Sequence, residues 1–372
     1  MNVINVMWAG GSPYASVHKV HQQILSLAEP GTSVNTWLLQ GQAIGGIDDI
    51  GQSREWHLPH RLLKGRHLWG LLKPWLQARL HRALADSDAQ VLLLDGLGVA
   101  RVLLPILLDL PNTRAVVIFH GSTRLRDSDR TLLRNFPASR LALVAVSRTL
   151  AVSLEDDLCL PVIPLRSALE PTSYCARLLA RDAARRELGI TEPDVRVMGA
   201  VGRLVADKGF DYMLDAFAVV LKQQPELRLV IVGEGPARTA LEQQVKRLGL
   251  QGKVMLPGHR QGLEKFYRGF DWVLIPSRDE GLGLVLQEAV MAGVPVLISD
   301  LPVFREQLGD AGCYAAIGDP RAWAQAIASC AALDAKLIAD DQLRALSPEA
   351  AWQRFSLETR SLLGSEPEST RQ

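Results

Sequence analysis

Short, continuous apolar runs recur along this chain, each followed by a helical pattern. They include VINVMW (Val3–Trp8), VLLLDGLG (Val91–Gly98), AVVIFHG (Ala115–Gly121) and LALVAVS (Leu141–Ser147), and others lie near 195–201, 227–233, 253–256, 272–276 and 294–299. Runs without polar alternation suit strands buried on both faces, which is the condition of parallel sheets. Strands alternating with helices give such a sheet a helical cover on each side. The predicted fold class is therefore α/β. At 372 residues the chain is too long for one ordinary core and suits two. The prolines Pro161, Pro164 and Pro171 mark the connection, so the domains are expected at 1–167 and 168–348. After Asp310 helices dominate, with a final amphipathic one over 349–363 and a polar, disordered tail over 364–372.

Between Ser277 and Pro295 the sequence SRDEGLGLVLQEAVMAGVP leads from the strand WVLIP through Gly281 and Gly283 into a helix. A helix N-terminus offers free N–H groups and a positive dipole end, and glycines let the backbone approach an anion closely. A diphosphate would sit against the amides of Leu282, Gly283 and Leu284. Glu280 precedes this helix and Glu288 lies inside it. Eight residues of helix rise about 12 Å, too far for the paired carboxylates of a glycosidase, so the two acids suit two parts of one extended ligand. Glycine loops of this kind also occur with no ligand. A second stretch, MGAVGRLVADKGFDYMLDAF (Met198–Phe217), repeats the order of strand, loop and helix and places Arg203 and Lys208 in the loop. Arginine grips phosphate through a planar fork, and lysine acts as a compact charge.

Together these stretches resemble the retaining glycosyltransferases of the GT-B fold, in the family 4-like group that includes bacterial lipopolysaccharide-core and mannosyl transferases. The resemblance rests on Gly202-Arg203, Lys208-Gly209, VGEGP (Val232–Pro236), Pro276-Ser277, EGLGLVLQEA (Glu280–Ala289) and AGVPV (Ala292–Val296). It covers Val195 to about Asp300 closely and the N-terminal half loosely. It implies two facing Rossmann-like domains with the active site in an interdomain cleft. Its reaction moves a sugar from a nucleotide diphosphate to a saccharide hydroxyl with retention at the anomeric carbon. It assigns Arg203 and Lys208 to the diphosphate, Glu288 to the ribose hydroxyls and Glu280 to the donor sugar. It also places His120, after the strand AVVIF, beside the reacting sugar as a hydrogen-bond donor, and implies that the last helix returns to the N-terminal domain.

Gly10 and Gly11 follow the first strand, and in the resembling family that loop faces the donor diphosphate, which makes Gly11 a donor-side candidate. His18 and His21, in the helix that follows, are expected on its surface. Asp95 ends another strand, at the edge where ligands of open α/β sheets bind. The segment His57–Ala85 is unusual: six Lys or Arg (Arg61, Lys64, Arg66, Lys73, Arg79, Arg82), four His, two Trp and no acid. The whole chain is only +1, so without this segment it would be net acidic. Leu68, Leu71, Leu72, Trp75, Leu76, Arg79 and Leu80 fall at helical spacing, giving an apolar face flanked by cations. Such a helix suits an anionic membrane surface, with Trp at headgroup level, and equally suits a packed helix with a solvated basic side. Asp95, Arg61, Lys64 and Arg66 are the acceptor-side candidates.

Composition excludes several classes. Charged residues at 22% and hydrophobic ones at 48% describe a globular protein. Cys159, Cys175, Cys313 and Cys330 are scattered, without C-x-x-C or His at ligand spacing, so neither disulfides nor a zinc site is expected. No Asp-x-Asp set stands at a strand end, and cations at the diphosphate leave no role there for a metal. No apolar stretch of about 18 residues could span a bilayer, and no basic leader precedes the first strand. The chain is expected to be cytoplasmic, at the inner face of the membrane if its acceptor is a lipid-linked or lipopolysaccharide-core saccharide. The resemblance implies a nucleotide-sugar donor and no cofactor, and the near-neutral charge without recognition motifs argues against a nucleic-acid partner. Alternatives are a nucleotide-sugar epimerase of the same fold and an inactive GT-B binding protein.

Overall fold

The computed structural model describes residues 1–9, 15–42, 50–58, 69–192, 195–260 and 262–364, with the side chains of 15 and 69–74 excepted. The chain divides into two compact units, Met1–Ser167 with Arg354–Gln372, and Ala168–Gln353. The tail expectation falls on 365–372, outside the described residues.

The first unit is built on a parallel sheet of β1 (Asn2–Ala9), β2 (Ser33–Gln40), β3 (Gln52–Glu55), β4 (Val91–Asp95), β5 (Arg114–Phe119), β6 (Leu141–Ala145) and β7 (Ile163–Pro164), ordered β3-β2-β1-β4-β5-β6-β7. Val91 to Leu94 and Val116 to Phe119 are almost wholly buried, as runs without alternation require. The sequence reading passed over β2 and β3. SVNTWLLQ mixes polar and apolar residues, and QSRE is polar throughout, which an edge strand tolerates.

Helices fill the crossovers. In the helix Trp69–Ser87, Leu76, Leu80 and Leu84 are buried in a single stripe. Trp75, expected on that face, is 60% exposed instead, and Arg79 is also outside. The i, i+4, i+8 leucines already fill the inner face, and a residue one step away is turned by about 100°.

The second unit repeats the winding with β8 (Val197–Val201), β9 (Arg228–Val232), β10 (Val254–Gly258), β11 (Trp272–Ile275), β12 (Val296–Ser299) and β13 (Cys313–Ala315), ordered β10-β9-β8-β11-β12-β13. Alternate residues serve two cores. Val197, Val201, Val230, Val232, Val273, Ile275, Val296 and Ile298 face one, and Met198, Ala200, Leu229, Ile231, Trp272, Leu274 and Leu297 face the other. The edge strand β13 lies in the region read from sequence as helical; three residues are too few to leave a pattern.

All pairings in both sheets are parallel. In each, strand order reverses once, between β1 and β4 in the first unit and between β8 and β11 in the second. Open α/β sheets bind ligands outside the carboxyl ends of the strands at such a point. The last helix, Pro348–Leu363, starts among residues of the second unit and ends among those of the first. There the Arg114 guanidinium donates to the Leu362 carbonyl at 2.6 Å.

Candidate functional site

The two loops singled out in the sequence leave the two strands that flank the second unit's switch point. β8 runs into Gly202 and Arg203 and the turn Ala206–Lys208, and β11 runs into Pro276 to Gly283. Gly209 closes the first loop at φ +68°, and a Cβ there would stand 1.9 Å from the Pro276 carbonyl oxygen. No side chain fits. Tyr212 donates its hydroxyl to that carbonyl. Across the gap, the Arg278 amide donates to Asp207 O at 2.7 Å, and its guanidinium donates to Ala206 O at 2.6 Å and to both Asp211 oxygens at 2.8 Å. The loops are thereby held together as one surface.

On this surface Lys208 Nζ donates to Glu280 Oε1, which also accepts the Ser277 hydroxyl at 2.9 Å. The Lys208 side chain is 27% exposed and that of Glu280 12%. Arg203 is exposed, and among the described residues its guanidinium makes no hydrogen bond or ion pair. Gly283, at φ +80°, caps the helix Leu284–Met291 and packs against the Phe304 ring, where a Cβ would come within 2.4 Å. Leu282 is buried, and its carbonyl accepts from Gln307 Nε2 at 2.6 Å, which fixes the approach to the helix N-terminus.

Glu288 sits one turn into the helix and is 8% exposed. Its Oε2 accepts the Tyr267 hydroxyl at 2.7 Å, and its carbonyl accepts the Tyr174 hydroxyl, also at 2.7 Å. Burial first, and then the Glu288 charge, push both phenols up from their usual range, so each is a fixed donor. The two acids thus differ in setting: Glu280 lies in a loop under a lysine, and Glu288 is locked in the core.

In the first unit the equivalent strand ends carry other chemistry. Asp95 closes β4, and the Trp8 amide donates to its Oδ2 at 3.0 Å. His120 follows β5; its Nε2 lies 3.8 Å from Asp95 Oδ1 and 3.0 Å from His21 Nε2. His21 Nδ1 lies 2.6 Å from Asn5 Oδ1, and His18 Nε2 is 2.9 Å from the Ala9 carbonyl. The expectation that His18 and His21 lie on the helix surface is therefore corrected: they are 7% and 0% exposed. They share the sheet-facing side of Ala15–Leu25 with Leu25, at i, i+3 and i+7, and polar partners make their burial tolerable.

Burial, reinforced by the other imidazoles, holds His21 well below the usual histidine range. Burial likewise lowers His120 to about 3, with His18 adding to it, and raises Asp95 against the opposing Trp8 hydrogen bond. Both imidazoles are neutral at neutral pH.

Gly11, Arg61, Lys64 and Arg66 lie outside the described residues. The sequence reading missed Tyr267, Tyr174, Arg278, Asn5 and His21. Tyr267 and Tyr174 reach Glu288 only through tertiary packing, 21 and 114 residues away in the chain. The i, i+3 pair His18 and His21 was visible in the sequence, but as a surface feature.

Residues 195–332 match the family model described as Glycosyl transferases group 1. A D-inositol 3-phosphate glycosyltransferase of Segniliparus rotundus is 36% identical over 174 residues, covering 44% of this chain and 37% of that protein. The lipopolysaccharide core biosynthesis mannosyltransferase LpsB of Rhizobium meliloti is 30% identical over 128 residues, 33% of this chain and 36% of that one. The chain spans about two fifths of the length of the curated relatives it matches. HepE of Anabaena, solved in complex with UDP and glucose, superposes with a TM-score of 0.74 at 19% identity, covering 98% of each chain. Both sheets, their shared winding and this likeness give the architecture: the chain has the GT-B fold, and residues 195–332 of its second unit match the glycosyl transferases group 1 model.

Proposed function

We propose that the protein is a retaining glycosyltransferase that moves a sugar from a nucleotide-diphosphate sugar to a saccharide acceptor. The observation that carries this reading is the convergence of Arg203, Lys208 and Glu280 at the second unit's switch point, beside the N-terminus of a helix that holds Glu288. Negative charge develops on the departing diphosphate. Fixed cations and helix amides stabilise that charge more in the transition state than in the ground state, so no metal is needed at the diphosphate. Glu280 keeps Lys208 extended over the loop until the diphosphate takes part of its charge. Glu288, braced by Tyr267, accepts from the ribose hydroxyls. His120 and Glu280 act on the donor sugar, and the reaction uses no cofactor beyond the donor. The UDP found with HepE supports a nucleotide diphosphate as the leaving group.

The acceptor in this reading is a lipid-linked or lipopolysaccharide-core saccharide, supported by the likeness to LpsB. Among the described residues no helix is long and apolar enough to cross a membrane. A basic aromatic surface suits peripheral contact at the inner face of the cytoplasmic membrane. Exposed Trp75 lies under the Arg79 guanidinium at 5.6 Å, along a groove of about 750 Å³ that Arg54, Arg82 and Asp86 also line. That groove opens at the amino ends of β1 to β3, so it is a contact for headgroups and not the reacting centre.

A thermal-shift screen against nucleotide diphosphates and their sugars tests the donor side. A ligand at 100 times its Kd raises stability by about 2.7 kcal/mol. Incubation of the stabilising donor with phosphorylated saccharides, read by the anomeric NMR signals of the product, tests transfer and retention. No stabilisation by any nucleotide overturns the reading, and conversion of the donor to its epimer without an acceptor replaces it with an epimerase.

A further inference from the structure

The groove beside the helix Trp69–Ser87 departs from what a parallel sheet asks of its faces. Along β1, β2 and β3, the residues Asn2, Ser33, Asn35, Gln52 and Arg54 share one face, because Asn2 pairs with Ser33, Asn35 with Gln52 and Trp37 with Arg54. Strands covered by helices turn apolar residues to that cover. These turn polar ones. The helix answers with a polar stripe of its own: Trp75, Arg79, Arg82 and Asp86, at i, i+4, i+7 and i+11, line the same groove. The space between is about 750 Å³, inside the range of roughly 300–1,000 Å³ that small-molecule sites occupy.

Two of the arginines are held by aromatic rings and not by acids. The Arg54 guanidinium lies 5.8 Å from the Trp37 ring and 4.4 Å from the Trp56 ring, and that of Arg79 lies 5.0 Å from Trp56 and 5.6 Å from Trp75. Three indoles and two cations thus form one ladder. Trp37 and Trp56 are buried and anchor it, while Trp75 stands 60% exposed at its open end. A guanidinium attracted to a ring keeps its N–H groups for another partner. Among the described residues, Arg54, Arg79 and Arg82 make no hydrogen bond or ion pair. The ladder therefore fixes planar forks whose donors are unspent, and such forks grip a phosphate through two bonds.

Asp86 narrows the class of ligand. A carboxylate among three cations disfavours a bare anion or a uniformly anionic surface, and it accepts hydroxyl protons. Asn35 and Gln52 add amides that both donate and accept. Exposed Trp75 offers a flat apolar body of the kind against which the C–H groups of a sugar ring pack. We propose that the groove binds a phosphorylated saccharide, with its phosphate on the arginines of the ladder, its ring against Trp75 and its hydroxyls on Asn35, Gln52 and Asp86. The headgroup contact of the acceptor reading, on which this rests, is thereby a phosphosugar held apart from the reacting hydroxyl. The groove contains none of Arg203, Lys208, Glu280 or Glu288, so its failure and the failure of the transferase reading are separate results.

The test uses the full chain in saturating UDP, with glucose 6-phosphate, mannose 6-phosphate, the two free sugars, inorganic phosphate and phosphatidylglycerol vesicles as probes. Calorimetry should find one sugar phosphate per chain, bound at least about tenfold tighter than free sugar or inorganic phosphate, since each of these lacks part of the groove's hydrogen bonds. Arg54→Gln combined with Arg79→Gln should weaken it at least about tenfold, and Trp75→Ala by a similar factor. Asp86→Asn separates a ligand site from a solvated face: the preference for sugar phosphate over inorganic phosphate should fall about tenfold, because both probes lose the repulsion and only the sugar loses a hydroxyl acceptor. All of these variants should keep their UDP affinity within about twofold. Circular dichroism identifies any that fails to fold, and Arg79→Lys, which keeps the charge and loses the fork, decides the matter if the double variant does. A native chain that takes the sugar phosphate but not UDP removes the transferase reading and leaves the groove standing. Binding of neither sugar phosphate, inorganic phosphate bound as tightly as both, vesicles bound in their place, or unchanged affinity in the double variant overturns the proposal.

Discussion

Where β8 and β11 end, the side chains are Arg203, Lys208 and Glu280, charged and partly exposed; where β4 and β5 end, they are Asp95 and His120, with His21 against them, desolvated and hydrogen-bonded. Both groups stand at carboxyl ends of parallel strands in sheets wound in the same order. Winding therefore sets where a site forms, and residue type sets its charge. In the second unit, each of these side chains lies near solvent or has an ion-pair partner. In the first, burial has made the imidazoles neutral, so they can accept or donate a hydrogen bond but not neutralise a diphosphate.

The largest effect expected from this contrast comes from removing cations at the charged end. Lys208→Ala and Arg203→Ala should each lower kcat/KM for transfer by at least about a hundredfold, in line with the loss of a donor to developing charge. Their circular dichroism should match the native chain, since both residues stand in a loop. Native turnover in either would remove the diphosphate assignment and the contrast with it. The two acids sharpen it further. Glu288→Gln should weaken binding of the free nucleotide about tenfold, whereas Glu280→Gln should lower turnover by a similar factor and leave nucleotide affinity within twofold. Calorimetry and initial rates separate the two, and equal losses of nucleotide affinity would contradict the division.

Tyr267→Phe tests how the buried acid is held. It strips one hydrogen bond from the Glu288 carboxylate, and urea unfolding should show a loss of about 1.5 kcal/mol. An unchanged midpoint would show that the hydroxyl contributes nothing.

The smallest effect belongs to the neutral end. His120 is lowered to about 3 in the folded chain, against 6.5 as its ordinary value. Between these values the unfolded chain binds more protons, so stability falls as the pH drops and is fully present only above about pH 7. For one imidazole the loss between pH 7 and pH 6 is about 0.7 kcal/mol. His120→Asn should lack that part of the slope in urea titrations, and an unaltered slope would mean that His120 is not lowered in the folded chain.

Much of the architecture was legible because parallel strands buried on both faces must be apolar throughout, as Val91–Leu94 and Val116–Phe119 are. Among the strands that escaped notice, Gln52–Glu55 and Cys313–Ala315 are exposed or short, and Ser33–Gln40 mixes polar with apolar residues although most of it is buried. In the candidate site, the loops carrying Arg203, Lys208, Glu280 and Gly283 announced themselves by local spacing. The groups that position them did not. Tyr174 meets Glu288 through contacts made only once the chain has folded, and no local pattern encodes such a meeting. His21 misled for a related reason: an imidazole on a helix suggests solvent unless one knows that Asn5 and His120 wait beneath it.

The final helix has a consequence for how the molecule is made. The first unit comprises Met1–Ser167 and the segment from Arg354 onward, so its sequence is interrupted by the whole of the second. At about 5–20 residues per second, the intervening segment takes on the order of 10–40 s to leave a ribosome. During that interval Arg114 is already synthesised and its partner carbonyl, Leu362, does not yet exist. The second unit can complete its core as it emerges, while the one begun first must be finished last. A chain cut after Gln353 would accordingly lose a part of the first unit and leave the later-made half whole.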